Sequence, residues 1–282
     1  MIEFAEETLA LLPYLFVTYL AIEWLEAHAG GALGKILGRS RRIGPAAGAA
    51  LGAVPQCGFS AAAASLYAGG VVSTGTLMAV FLSTSDEMLP VLFSAQLPAW
   101  TMAKIVLAKA AGAAAAGFAF DAVLRMFPGR ERLATPGSLC AHSHCGCSEH
   151  KSIFKAAAIH TLEIFIFVAV VAGAIEYALH LAGEGALESL WLDRPWAGEL
   201  AAGALGLVPN CAVSAAAAKL YADGAIGFGP LMASSFTGCG VGLIVLFRTN
   251  RNLKENLAIL AALYAAGVLL GRLAAAIPFL RQ

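Results

Sequence analysis

Long apolar stretches separated by short polar segments dominate the pattern of this chain. Four of them approach the length of about 20 residues that crosses a bilayer as a helix: Leu9–Ala27, Met102–Phe127, Ile159–His180 and Leu257–Ile277. Two further apolar blocks, 45–69 and 71–98, are each interrupted near the middle by polar residues, glycine or proline. This pattern predicts an all-α integral membrane protein.

The chain contains an internal repeat. Residues 50–93 match residues 204–247 at an offset of 154, with 23 of 44 positions identical and no insertion. Low complexity does not explain the shared proline, cysteine and tyrosine positions, Pro55/Pro209, Cys57/Cys211 and Tyr67/Tyr221. We therefore predict three parts: transmembrane repeat 1 at 1–127, a cytoplasmic His/Cys-rich linker at 128–150, and transmembrane repeat 2 at 151–282.

The charges of equivalent loops indicate that the two repeats are inverted. Segment 30–44 is basic, whereas its counterpart 183–199 is mainly acidic. At the next pair, 94–101 carries no charge and 248–254 is basic. Because basic residues near span ends mark the cytoplasmic side, equivalent loops are expected on opposite sides of the membrane.

The interruptions of the two apolar blocks predict half-helices. The first block is interrupted at 54–58 and the second at 83–87, and repeat 2 has matching segments. Irregular backbone at membrane depth is tolerated only where it lines a cavity or is packed inside protein. Paired interruptions in an inverted repeat are a sequence indication of a transporter's substrate site. We expect broken or re-entrant half-helices that meet near the middle of the membrane.

The first interruption carries a repeated proline–amide–cysteine motif. Proline ends the preceding helix, so each cysteine should start a new one, where the positive end of the helix dipole favours a thiolate. Thiolates bind soft metals and metalloids, and side-chain amides suit oxygen-rich ligands. The predicted substrate-binding residues here are Gln56, Cys57, Ser60, Asn210, Cys211 and Ser214. The alternative is that each cysteine is a small residue at a tight helix contact.

The second interruption differs between the repeats. Asp86 and Glu87 lie in the first, and an acid inside the membrane is by default a functional candidate, here for ion coupling. Their counterpart segment contains Thr237 and Cys239, which we expect on the opposite wall of the substrate site. The alternative is that this interruption lies near the aqueous boundary and the acids are solvated. Lys104 and Lys109, in the last span of the first half, are expected to snorkel towards the interface.

The linker concentrates six thiol or imidazole groups within eleven residues. Such ligands suit zinc, copper and related ions, although the spacing does not predict a closed structural zinc site. The predicted metal ligands are Cys140, His142, His144, Cys145, Cys147 and His150. A flexible cytoplasmic tether that happens to be rich in histidine is the alternative.

Composition agrees with the membrane class and excludes several functions. Hydrophobic residues make up 59% of the chain and charged residues 13%, with mean hydropathy +0.76. The net charge of zero gives no general attraction for nucleic acid. The sequence contains no phosphate-binding loop, nucleophile elbow, zinc-protease motif or dinucleotide fingerprint, so we expect no enzyme. We expect no tightly bound cofactor beyond a metal ion at the linker or transport site; the expected partners are lipid and substrate, and a homodimer is left open.

A resemblance to a known family covers nearly the whole chain. It rests on the linker leading into His160-Thr161-Leu162-Glu163 and on three motifs: Val54-Pro55-Gln56-Cys57-Gly58-Phe59-Ser60, Ser83-Thr84-Ser85-Asp86-Glu87 and Val208-Pro209-Asn210-Cys211. The chain resembles the ten-span heavy-metal exporters, a family of arsenic-efflux and manganese transporters related to the organoarsenical permeases. The resemblance implies a multi-pass permease of the prokaryotic cytoplasmic (inner) membrane that exports a toxic metal or metalloid.

Three functional hypotheses follow. The first is export of a thiophilic metalloid such as trivalent arsenic, bound by Cys57, Cys211 and Cys239. The second is export of a divalent cation such as manganese or zinc, bound by Asp86, Glu87 and the amide oxygens; the acids could instead carry coupling protons. The third, a membrane redox or sensor protein, is disfavoured by the absence of a Cys-x-x-Cys pair.

Overall fold

In the computed structural model, the described part of the chain is entirely helical wherever it is regular. The residues described are 33–53, 57–84, 88–96, 98–126, 196–209, 211–222 and 224–277, together with short helical stretches at 12–13, 16–17, 20, 154–155, 157–159, 161–162, 165–166, 169–170 and 177.

Ten helices have defined bounds within these residues. They are α1 (Leu33–Gly52), α2 (Cys57–Ala68), α3 (Thr74–Ser83), α4 (Met88–Ser94), α5 (Ala99–Arg125), α6 (Ala197–Gly206), α7 (Cys211–Ala222), α8 (Phe228–Thr237), α9 (Gly242–Thr249) and α10 (Leu253–Ala276).

The helix boundaries repeat with the same offset of 154 as the sequence. Both ends of α2 and α3 coincide with those of α7 and α8 after this shift, as do the first residues of α4 and α9 and of α5 and α10. Helix α6 matches the second half of α1, and both end at a glycine, Gly52 and Gly206. The repeat of residues is therefore also a repeat of helix lengths and breaks.

Two equivalent short helices form the centre of the molecule. Every residue of α8 is buried, and α3 is buried from Gly75 to Ser83. Helix α3 packs against α1 and α5, α8 packs in the same way against α6 and α10, and α3 and α8 contact each other. The centre thus contains one helix from each repeat.

Four other short helices, α2, α4, α7 and α9, contact the opposite half. Helix α2 of the first half packs against α9 of the second, and α7 of the second half packs against α4 of the first. Since α2 is equivalent to α7 and α9 to α4, these two contacts are the same contact made reciprocally. The halves are interlocked through these helices.

Glycine allows α1 and α6 to approach the central helices closely. A Cβ atom on Gly52 would lie 2.1 Å from Ser83 Oγ and 2.6 Å from the Val80 carbonyl oxygen. At the equivalent place, a Cβ on Gly206 would lie 2.2 Å from Thr237 Oγ1 and 2.4 Å from the Ser234 carbonyl oxygen. Such contacts between backbones are typical of helices packed in membranes.

Each central helix also has a carboxylate near its first turn, but from a different neighbour. Asp121 of α5 accepts hydrogen bonds from the Gly75 amide and the Ser73 hydroxyl, both 2.8 Å, at the start of α3. At the start of α8, a Cβ on Gly229 would lie 2.7 Å from Glu199 Oε1 of α6. Carboxylates at these positions stabilise the exposed amides and the positive end of the helix dipole.

The outer helices have the composition expected of a membrane protein. Within the described residues, three stretches are long and apolar enough to cross a bilayer, namely the outer helix Ala99–Arg125, the largely buried Phe228–Thr249 and the outer helix Leu253–Ala276. The first and third expose large apolar side chains such as Leu107 and Leu273, which is unfavourable in water and favourable in lipid. They confirm the predicted spans Met102–Phe127 and Leu257–Ile277, whereas the predicted spans Leu9–Ala27 and Ile159–His180 lie largely outside the described residues.

Two expectations about the charged loops were wrong. Most of segment 30–44 is helical and not a loop. Helix α1 begins at Leu33 and continues through the basic residues of this segment, which are good helix formers. Glu199, counted among the acidic loop residues, is buried in α6; it accepts a hydrogen bond from the Trp196 amide at 2.8 Å and pairs with Arg272 at 3.1 Å. Its charge therefore does not bear on which side of a membrane the loop lies.

Candidate functional site

The first predicted interruption is confirmed in both halves. Helix α1 ends at Gly52 and α2 begins at Cys57, and α6 ends at Gly206 and α7 begins at Cys211. The proline before each cysteine has no amide hydrogen and disfavours helical backbone at the preceding residue. The two cysteines are therefore the first residues of their helices, as the motif predicted.

The second interruption is also confirmed. Helix α3 ends at Ser83 and α4 begins at Met88, and α8 ends at Thr237 and α9 begins at Gly242. In the second half the break includes Gly240, whose φ of 53° lies in the left-handed region that glycine adopts without steric cost. The stretch Phe228–Thr249 therefore contains two helices and is not one continuous rod.

Ser60 lies where the two halves meet. Its side chain is fully buried in the first turn of α2. A Cβ atom on Gly242, the first residue of α9, would lie 2.7 Å from Ser60 Cβ and 2.9 Å from Ser60 Oγ. The structure thus brings a predicted site residue of the first half against the α8–α9 break of the second.

The same break contacts α7 from its own half. A Cβ on Gly238 would lie 3.4 Å from Ser214 Oγ, so the Ser214 hydroxyl is next to the end of α8. Cys239 follows directly, is buried, and is a thiol that forms no disulfide. Four predicted residues, Ser60, Ser214, Thr237 and Cys239, therefore lie on or beside one break in the centre of the protein.

Thr237 serves mainly in packing. Its hydroxyl donates to the carbonyl oxygens of Ala233 and Ser234, each at 3.1 Å, within its own helix. Its methyl group faces α10, where a Cβ on Gly267 would lie 2.4 Å from Thr237 Cγ2. The equivalent Ser83 makes the matching bond to the Val80 carbonyl oxygen at 3.1 Å.

A residue that the sequence prediction left out of the site lies between the central helices. Lys109 of α5 is fully buried, and its ammonium donates to the Thr84 carbonyl oxygen at 2.5 Å, just after the end of α3. It also donates to Ser235 of α8, to the carbonyl oxygen at 2.8 Å and to the hydroxyl at 2.6 Å. One side chain therefore joins the carboxyl-terminal ends of two equivalent helices from different halves.

The expectation that Lys109 snorkels was therefore wrong, whereas for Lys104 it stays a prediction. Lys104 is also buried, and its ammonium lies 5.6 Å from the centre of the Trp100 ring. The Lys109 ammonium lies in the protein interior, because carbonyl oxygens at helix ends accept hydrogen bonds from it and stabilise its charge there. A signal existed in the sequence: the equivalent position of the second half holds an apolar residue, Leu263, so this lysine is not required by the helix itself.

Several predicted site residues lie outside what the structure describes. This holds for Gln56, Asn210, Asp86 and Glu87 and for the whole linker set, Cys140, His142, His144, Cys145, Cys147 and His150. Cys57 and Cys211 are described only as the first residues of their helices. Within the described residues, no three of the His, Cys, Asp and Glu side chains come together as metal ligands. The proposed linker and acid sites stay predictions.

Comparisons with protein-family models, with curated proteins and with solved structures find nothing that matches this chain. The described chemistry is that of neutral oxygens and one thiol: the hydroxyls of Ser60 and Ser214, the carbonyls at the broken helix ends, and Cys239. Such groups can bind a small hydroxylated or soft ligand without a compensating net charge.

Proposed function

We propose that this protein is a secondary membrane transporter whose substrate site lies between its two halves. The observation that carries the proposal is the breaking of equivalent helices at the centre: α1/α2 with α6/α7, and α3/α4 with α8/α9. A helix broken in the interior exposes amides and carbonyls that can bind a solute, and transporters use such breaks for this purpose.

The arrangement of the halves supports this reading. Each half contributes one central helix, and the contacts of α2 with α9 and of α7 with α4 are reciprocal. Reciprocal contacts are what two halves related by a twofold axis make. The loop pair 94–101, which carries no charge, and 248–254, which is basic, favours halves of opposite orientation, and inverted repeats allow one site to open to either side.

The substrate class that fits best is a toxic metalloid such as trivalent arsenic, exported from a prokaryotic cell across the cytoplasmic membrane. Arsenous acid is an uncharged hydroxide at neutral pH and reacts readily with thiols. The described part of the site offers Cys239 and the hydroxyl groups of Ser60 and Ser214, which suit such a ligand.

The test is protection and transport in a bacterial host that lacks its own exporters. We expect the protein to raise tolerance to arsenite and antimonite, and inside-out vesicles to accumulate arsenite. The variants C57S, C211S and C239S should lose this activity. The linker variants C140S, C145S and C147S remove thiols outside the repeats, so comparing the two sets separates a role of the transport site from a role of the predicted linker metal site.

The alternative substrates are outcomes of the same experiment. Tolerance to Mn²⁺ or Zn²⁺ that is lost in D86N and E87Q, but kept in the cysteine variants, would replace the metalloid by a divalent cation. Protein that reaches the membrane intact yet protects against none of these ions, and moves none of them in vesicles, would refute a heavy-metal exporter.

A further inference from the structure

A hydrogen bond joins the end of α2 in the first half to the start of α10 in the second. The Tyr67 hydroxyl donates to the Glu255 carboxylate and accepts from the Thr74 hydroxyl at 3.4 Å. Tyr67 is only 4% exposed, and Glu255 lies in the first turn of α10. One tyrosine side chain therefore connects α2 with the start of α3 and with the opposite half of the protein.

The equivalent tyrosine of the second half lies among different residues. Tyr221 is partly exposed, and its ring packs against Phe228 with the ring centroids 6.1 Å apart. Phe228 is equivalent to Thr74, and Thr101 is equivalent to Glu255. Both repeats thus contain the tyrosine, but the position that holds a carboxylate beside the first tyrosine holds a threonine in the second half.

The packing around the two tyrosines differs in the same direction. Ser60 is buried in α2, whereas its equivalent Ser214 in α7 is partly exposed. On the helices that pack against them, Phe247 of α9 is 37% exposed and its equivalent Phe93 of α4 is 72% exposed. The contact between α2 and α9 is therefore closed more tightly than the equivalent contact between α7 and α4.

The helix ends themselves do not account for this difference. Helices α2 and α7 end in the same way: the Gly70 amide donates to the Tyr67 carbonyl oxygen at 2.9 Å, and the Gly224 amide donates to the Tyr221 carbonyl oxygen at 3.0 Å. Both glycines have a positive φ, 70° and 74°. Equivalent helices with equal ends but unequal packing are what one of two exchangeable states of an inverted repeat contains, because the other state exchanges the two environments.

The charges of the neighbouring segments assign a side to the hydrogen-bonded tyrosine. Segment 248–254, which leads into α10, is basic, and a basic segment beside a span favours the cytoplasmic side. We infer that the hydrogen bond between Tyr67 and Glu255 is the cytoplasmic gate of the proposed transporter, and that this gate is closed in the structure. When it opens, α2 separates from the start of α10, and α7 closes on α4 at the opposite side. The inference rests on the proposed function, since a transporter needs both states.

The experiment measures hydrogen exchange of the purified protein in detergent, in the segments that end at Gly70 and Gly224. We expect Y67F to speed exchange at the end of α2 by about tenfold or more, the factor for loss of a hydrogen bond to a charged group. The same variant should slow exchange at the end of α7, because opening one side closes the other. E255A removes the acceptor and should give the same pair of changes. Y221F is the matched control and should change neither segment.

The opposite sign of the two changes distinguishes a gate from a contact that only stabilises the fold. Faster exchange at the end of α2 alone, faster exchange at both ends, or unchanged exchange at both would overturn the inference. So would different results for Y67F and E255A. The readout needs no substrate. A protein that shows both changes but carries no solute would therefore refute the transporter while leaving the coupled motion of the two halves in place.

Discussion

Ser60 of α2 and Gly242 of α9 lie in direct contact across the boundary between the two halves. A methyl group at Gly242 would come 2.7 Å from Ser60 Cβ and 2.9 Å from Phe81 Cε1, both on fully buried residues. The contact joins the first broken helix of one half to the second broken helix of the other. It makes the centre sensitive to small changes in volume.

The substitution Gly242→Ala should destabilise the protein by about 1–3 kcal/mol, because neither buried neighbour has room to move away. Transport activity should fall further than protein abundance, since the site lies at this contact. Thermal unfolding and vesicle uptake measure the two effects. The matched control is Gly112→Ala in α5, where the nearest atom, Phe236 Cζ, would lie 3.3 Å away. The double variant S60G/G242A should recover part of the lost stability; additive losses would contradict the contact.

The glycines that end α1 and α6 should be equally intolerant. A Cβ at Gly52 or Gly206 meets a main-chain carbonyl oxygen, which cannot move without shifting the central helix. We expect both G52A and G206A to lower the unfolding temperature by similar amounts. The controls A50L and A204L enlarge side chains at exposed positions of the same two helices and should change the unfolding temperature little. A clear loss in only one of the glycine variants would show that the halves do not pack alike.

Asp121 should stabilise the start of α3. D121A removes the acceptor for both the Gly75 amide and the Ser73 hydroxyl and is expected to cost about 1–3 kcal/mol, as for a buried donor left without a partner. D121N keeps one oxygen and should cost less. Hydrogen exchange of the Gly75 amide measures the effect locally. Equal protection in wild type and D121A would rule out this role.

Tyr67 should contribute more to the stability of the contact between the two halves than the equivalent residue Tyr221 does. Its hydroxyl donates to Glu255 of α10, whereas the position equivalent to Glu255 in the first half is Thr101. Y67F should therefore reduce stability by about 1.5–3 kcal/mol, the range for a hydrogen bond to a charged group. Y221F, which keeps the ring contact with Phe228, should have a smaller effect. The prediction fails if the two variants are indistinguishable.

The breaks and the repeat were accessible from the sequence alone. Proline restricts its own backbone and that of the residue before it, so Pro55 and Pro209 predict helix ends whatever surrounds them. Equivalent residues in a gapless repeat predict equivalent helices, and the bounds of α2 and α7 agree with this. The apolar length of α5 and α10 likewise follows from composition, because a bilayer requires it.

The tertiary structure decided where charges lie and which half contacts which. From the sequence, Lys109 lies in an apolar span and is expected at a lipid interface, and Glu199 lies at the end of an acidic segment and is expected in an aqueous loop. Both side chains are buried in the structure. Whether a charge can be buried depends on acceptors brought by other helices: Ser235 is far from Lys109 along the chain, and Arg272 is far from Glu199. Local pattern determines helices and their ends, but the electrostatics of the interior exist only once the two halves have packed together.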